Sequence, residues 1–231
     1  MTLNNSTISG NVAAYRPGGG LMNVGTMTLN NSTVSGNMVL HNSGGGGFYN
    51  IGKVRLNNST VTGNSAPSGG GFFNESSGIA TFYNVTLANN SATVGGALYM
   101  YAGHQTVLTN TILAYSPAGG NCFGTITASK FTFSSDNSCA LPAGNTIKGL
   151  NPNGLEPLLT ALGNYGGPTQ VHMIKSDSPA KGGVVGSDAP LTDQRGLPRP
   201  GPDGSYDIGA VERQPNDTDL APRVYLPVVL R

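Results

Sequence analysis

Residues 27–37 read MTLNNSTVSGN and residues 54–64 read VRLNNSTVTGN. The same segment stands as MTLNNSTISGN at 1–11 and, in looser copies, as ATFYNVTLANN at 80–90 and TVLTNTILAYS at 106–116. The fifth residue of every copy is Asn, at Asn5, Asn31, Asn58, Asn84 and Asn110, spaced by 26, 27, 26 and 26 residues. A second unit is interleaved with the first: GGGLMN at 18–23, GGGFYN at 45–50, GGGFFN at 69–74 and GGALYM at 95–100. A fixed period of this length is the mark of a solenoid, and the alternation reads as two short segments per coil.

The residues within each unit decide what kind of solenoid this is. A leucine-rich repeat needs several spaced leucines and a helical or tight-turn segment; here each copy has one Leu or Phe among β-branched residues and Gly. Apolar positions recur at every second residue, as in Met27 and Leu29 or Val54 and Leu56, and the runs end in Gly or Asn, which is strand grammar. The expected fold is all-β, a right-handed parallel β-helix with coils about 4.8 Å apart. Leu3, Leu29, Leu56, Phe82 and Leu108 then form one interior column, and Ile8, Val34, Val61, Leu87 and Leu113 a second. The Asn column is expected to bond amide to amide from coil to coil and to turn backbone, so that Asn58→Leu breaks the ladder. Gly46 with Gly47, and Gly70 with Gly71, mark either positive φ or crowding between sheets.

Composition excludes several functions. Charged residues are 10% of the 231, Trp is absent, and Gly 35 and Pro 15 supply more than a fifth of the chain. Such a surface is built from Ser, Thr, Asn and Gly, and charged helices have no material to form from. The net charge of +1 provides no field for nucleic acid or an anionic membrane. No apolar run is long enough to cross a bilayer, and the N-terminus lacks the basic stretch and apolar core of a secretion signal.

The motifs GGAL at 95–98 and ISGN, VSGN and VTGN ending at 11, 37 and 64 resemble the repeats of polymorphic outer-membrane proteins among bacterial β-helix surface proteins. NYGGPTQVHMIKSDSPA at 164–180, TDQRGLPRP at 192–200 and YDIGAVE at 206–212 resemble the choice-of-anchor Q domain that follows such helices. Lys181 stands where that family usually has an acid. The resemblance implies a cell-surface or extracellular protein for display or adhesion, its partner a cell-envelope or extracellular glycan or protein surface. The domain division is coils over 1–118, a cysteine-bearing cap region over 119–150, an anchor-like module over 151–212, and a linker with a short apolar tail over 213–231. Because Met1-Thr2-Leu3 aligns with Met27-Thr28-Leu29, the chain starts inside a repeat. The expectation is an uncapped first coil of a longer parent, able to associate edge to edge.

Candidate chemistry is sparse. Polysaccharide cleavage needs a carboxylate pair, or a base with bound calcium or a cationic clamp. Glu75 is the one acid in residues 1–135, with Val24, Ile51 and Tyr101 at its equivalent places. A catalytic role is therefore not assigned, and His41 and His104 read as turn residues. The other ten acids follow residue 135. Asp193, Arg195, Asp207 and Glu212 are expected to form an ion-pair network fastening the cap to the last coil, since Arg can bridge two carboxylates. Asp203 and Asp207 faintly suggest a calcium loop but supply too few ligands, so no cofactor is assigned.

Cys122 and Cys139, separated by 16 residues, have no CxxC partner. They read as a disulfide of an oxidising compartment, contributing about 3 kcal/mol by loop closure, or as two buried thiols. Tyr49, Phe73 and Tyr99 follow the inward Phe48, Phe72 and Leu98, so they form an outward stripe. This stripe is the candidate binding face, with cross-coil stacking as the competing role.

Overall fold

The computed structural model describes residues 1–142, 154–184, 190–201 and 204–219. The first coil runs through β1 (Thr2–Asn4), β2 (Thr7–Ser9), β3 (Val12–Ala13) and β4 (Leu21–Asn23). The second repeats it as β5 (Thr26–Asn30), β6 (Thr33–Ser35), β7 (Met38–Val39) and β8 (Phe48–Asn50). In the third and fourth, the first two strands merge into β9 (Lys53–Thr62) and β12 (Ile79–Ala88). These are followed by β10 (Ser65–Ser68) and β11 (Phe72–Asn74), and by β13 (Ser91–Val94) and β14 (Leu98–Met100). The fifth coil has β15 (Gln105–Thr109), β16 (Ile112–Ala114) and β17 (Cys122–Phe123), and a partial turn adds β18 (Ala128–Lys130) and β19 (Phe133–Ser134).

Every ladder between these strands is parallel, and three sheets result: β1-β5-β9-β12-β15-β18 with its β2, β6, β16 and β19 half, β3-β7-β10-β13, and β4-β8-β11-β14-β17. The protein is a parallel β-solenoid of about five coils, with no helix among the described residues. Its coils have more faces than two segments suggest. The fifth-position Asn separates two strands in the first, second and fifth coils and lies within the merged β9 and β12 of the third and fourth, and a short third strand precedes the glycines in the first four.

That Asn column turns the chain. Asn5, Asn31, Asn58, Asn84 and Asn110 all have φ between 42° and 53°, a left-handed conformation that Asn tolerates better than other side-chain-bearing residues. Amide pairing within this column joins Asn110 Nδ2 to Asn84 Oδ1, whereas Asn58 Nδ2 donates to Thr192 O at 2.8 Å. The longest amide ladder uses the last Asn of the motif instead. Asn11, Asn37 and Asn64 each donate Nδ2 to the Oδ1 of the next, ending at Asn90, at 2.8–3.0 Å. Backbone N–H groups of the same three residues share those acceptors, and the Nδ2 groups of Asn37, Asn64 and Asn90 also reach the carbonyls of Ile8, Val34 and Val61. A second ladder joins Asn23, Asn50 and Asn74 at 2.8 Å. Buried corner groups are thereby satisfied repeatedly by one residue type.

Register pairs place Leu3, Leu29, Leu56, Phe82 and Leu108 in one column and Ile8, Val34, Val61, Leu87 and Leu113 in another. From the second coil onward both columns are fully buried. Gly46 and Gly70 owe their identity to crowding: a Cβ on Gly46 would collide with the Ser65 and Gly70 carbonyls, and positive φ falls one residue earlier, at Gly45 and Gly69. Cys122 and Cys139 form a disulfide within the interior, where Cys122 continues the Phe48, Phe72 and Leu98 column.

The C-terminal module, built from 154–184, 190–201 and 204–219, lies along the flank of the solenoid rather than only over its end. Thr169 Oγ1 bonds Asn31 O, Thr33 Oγ1 donates to Gln170 O, and Ala210 N donates to Thr86 Oγ1. The Gln194 amide reaches Ser32 O, Thr33 Oγ1 and Thr169 Oγ1, and accepts from Thr60 Oγ1 at 2.7 Å. Ile112, Ala114 and Phe133 pack on Ile174, Ala180, Val184 and Ile208. The module thus covers the second to fifth coils along one corner and leaves Asn5 and Thr7 of the first exposed.

Candidate functional site

The second unit of each coil places its last aromatic outward. The parallel register stacks Met22, Tyr49, Phe73, Tyr99 and Phe123 in one row. Successive ring centroids from Tyr49 to Phe123 are 4.9, 4.5 and 4.8 Å apart, with interplanar angles of 17°, 7° and 19°. Those separations are the coil spacing itself. The ring faces are therefore spent on each other, and the outward surface consists of ring edges and the Tyr49 and Tyr99 hydroxyls. Phe73 in the middle is 9% exposed, while Phe123 at the end of the row is 47% exposed. Phe123 joins the row from GGNCF at 119–123, a fifth copy of the glycine unit in register with GGALY at 95–99, in which Asn121 and Cys122 replace the usual small and aliphatic or aromatic residues.

Beside the row runs an open groove of about 450 Å³, lined by Ser43, Tyr49, Phe73, Glu75, Tyr99 and Tyr101. One wall comes from the loop before β8: Gly44 lies against the Phe73 ring, where a Cβ would clash with it. Glu75 and Tyr101 enter from equivalent positions in consecutive coils, directly after the paired Asn74 and Met100. Tyr101 is 48% exposed. Burial, then the adjacent Glu75 carboxylate, raise the Tyr49 phenol above its ordinary value. Glu75 has no salt-bridge partner among the described residues. The groove thus combines apolar ring edges, phenol hydroxyls and one carboxylate, which suits contact with a polyhydroxylated or cationic ligand.

The module holds the other candidates. Arg195 bridges two carboxylates, with Nε 2.9 Å from Asp193 Oδ2 and its two terminal nitrogens 3.0 and 3.1 Å from Asp217. Arg199 pairs with Glu212 at 2.9 Å and also donates to the carbonyls of Asp207 and Gly209. The Asp207 carboxylate accepts the backbone N–H groups of Gly182 and Arg213. Burial and the Asp207 charge push the Glu212 carboxyl up to about 7, against the pull of Arg199. Asp193, Arg195, Asp207 and Glu212 are brought together, with Asp217 and Arg199 completing the network. Its ion pairs join module residues to one another; the coils are reached by the side chains of Thr169, Gln194 and His172 and by backbone groups, among them Asp207 O, which accepts from Asn110 Nδ2. Asp203, half of the faint calcium motif, lies outside the described residues. Among the described residues no three His, Cys, Asp or Glu side chains converge as metal ligands.

The histidines take separate positions. His41 stacks on Tyr15, and His104 lies between the carbonyls of Tyr101 and Thr125. His172 joins the module to the third coil: Nδ1–H donates to Thr160 O at 2.8 Å, and Nε2 accepts from Thr62 Oγ1 at 2.9 Å. Burial lowers its pKa from the ordinary 6.5. No described helix is long and apolar enough to cross a membrane. No family model, curated protein or solved structure matches the chain.

Proposed function

We propose that this chain is a non-catalytic, extracytoplasmic surface protein that displays an adhesive aromatic face of the β-solenoid and binds glycan through it. The observation that carries this reading is the open groove along Tyr49, Phe73 and Tyr99, held on a scaffold whose corners are fixed by amide ladders. Ring edges and phenol hydroxyls offer both C–H packing and hydrogen bonding to a sugar. The disulfide supports an oxidising compartment. The resemblance of 164–180, 192–200 and 206–212 to choice-of-anchor Q segments, and of the coils to polymorphic outer-membrane repeats, supports display at a cell surface.

The test is incubation of the folded chain with soluble and insoluble polysaccharides, scoring retention and the appearance of new sugar ends together. Retention without new ends, reduced when Tyr49 and Tyr101 are changed to Ala, is the expected result. New sugar ends would instead favour the competing reading, a carbohydrate-active β-helix, and absence of retention would leave a spacer.

A further inference from the structure

Glu75 is a charged side chain in a charge-poor setting. It is the one acid in the first 135 residues, and the places equivalent to it in the other coils hold Val24, Ile51 and Tyr101. It is half-buried, lines the groove with Tyr49, Phe73, Tyr99 and Tyr101, and has no cationic partner among the described residues. A carboxylate taken partly out of water without a counter-charge raises the local cost of the apo state, and a cation arriving in the groove recovers it. Its neighbour is the neutral Tyr49 phenol, which is raised by burial first and then by the charge of Glu75 and a hydrogen bond to it, so the carboxylate has a polar partner but no counter-charge.

The cation must be carried by a ligand that needs no sheet edge. The strands under the groove, β8, β11 and β14, are each paired on both sides, with β4, β11, β8, β14 and β17 as neighbours. A peptide therefore finds no free backbone row to extend as an added strand. What the groove does present is hydroxyl groups, ring edges and the single carboxylate. That set matches a sugar ring bearing an amine.

Building on the glycan reading above, we propose that the Tyr49–Tyr101 groove selects amine-bearing glycans, with Glu75 holding the ammonium of a de-N-acetylated amino sugar. The hydroxyls of Tyr49 and Tyr99 and the ring edges contact the rest of the sugar. Acetylation removes both the charge and a donor, so it should remove the preference while leaving the neutral contacts.

The experiment titrates the full chain with glucosamine oligomers, the matching N-acetylglucosamine oligomers, neutral glucose oligomers and oligolysine, at low and at raised salt. Glucosamine oligomers should bind about tenfold or more tighter than the acetylated series, as a charge-assisted hydrogen bond implies. The difference should shrink with salt and disappear in Glu75→Gln, whose melting temperature should match the parent protein. Equal affinity for both series, or an unchanged preference in Glu75→Gln, overturns the proposal while leaving glycan binding in place. Binding of oligolysine with no glucosamine binding overturns it in favour of a basic peptide. Failure of every sugar to bind removes the glycan reading itself.

Discussion

The solenoid and the C-terminal module satisfy their buried polar groups in opposite ways. In the coils, one solution is repeated: Asn11, Asn37 and Asn64 each donate the same side-chain and backbone bonds to the Asn one coil on. In the module the buried charged groups find individual partners, as in Arg195 with Asp193 and Asp217 or Arg199 with Glu212, with Arg199 Nε left over. A repeated neutral ladder costs little desolvation and passes its bonds to the next coil. A single buried ion pair leaves a stranded charge when one partner goes. The difference teaches that defects in the coils should spread to neighbouring coils, whereas defects in the module should be large and local.

The largest effect is expected from Arg199→Met, which strands Glu212 and removes the Arg199 donor from the Gly209 carbonyl in a fully buried position, while Asp207 O keeps Asn110 Nδ2. A loss of about 3–5 kcal/mol is anticipated, and Arg199→Met with Glu212→Leu should recover much of it. Hydrogen exchange should show module amides losing protection while the amides of β9 and β12 keep theirs; loss of protection through β9 and β12 as well would erase the contrast. Next comes Asn64→Leu, which removes the acceptor of the Asn37 N–H and Nδ2 groups and the side-chain donor to the Val34 carbonyl. The cost should be about 2–4 kcal/mol in a denaturant melt, with exchange protection falling in the second and fourth coils as well as the third.

The coils also differ among themselves, because the module covers the second to fifth and not the first. Thr60→Val removes the donor to Gln194 Oε1 and should cost about 1–3 kcal/mol. The equivalent change in the uncovered coil, Thr7→Val, should lie within about 0.5 kcal/mol of the parent. Equal costs would mean that the flank contacts contribute nothing.

The smallest effects concern pH, where two module groups oppose each other. Glu212 holds its proton to about 7 when folded and to about 4.5 when unfolded, so its contribution is full below 4.5 and declines as pH rises towards 7. His172 is kept neutral below its unfolded value of 6.5, so stability declines as pH falls below 6.5. Between about 4.5 and 6.5 the two partly cancel. Melting temperature should therefore rise with pH in Glu212→Gln and fall with pH in His172→Gln across that window. Parallel profiles for the two variants would contradict the assignment.

Much of the coil architecture was legible because its contacts are between residues one period apart. Leu29 beneath Leu56, and Tyr49 beneath Phe73, follow from aligning the copies. The choice of ladder was less legible, since the motif holds several Asn residues and only backbone geometry separates the turning Asn31 from the bonding Asn37. The flank contacts were not legible at all. Gln194 meets Thr33 across 161 residues with no repeating pattern to announce it. The groove was half legible: the stripe followed from alternation, but Glu75 looked solitary because its own column holds no second acid. Its significance comes from rings in the adjacent column and the neighbouring coils, which a search for paired carboxylates passes over.

The most direct test of the account asks which of the two regions carries binding. Retention of the full chain on immobilised glucosamine oligomers should be compared for Glu75→Gln in the groove and Gln194→Ala in the flank clamp, below the melting temperature of both. The account predicts that Glu75→Gln weakens retention about tenfold, to the level of the acetylated series, and that Gln194→Ala keeps it despite lower stability. Retention that is unchanged in Glu75→Gln and is lost with Gln194→Ala would place the binding surface on the module and contradict it.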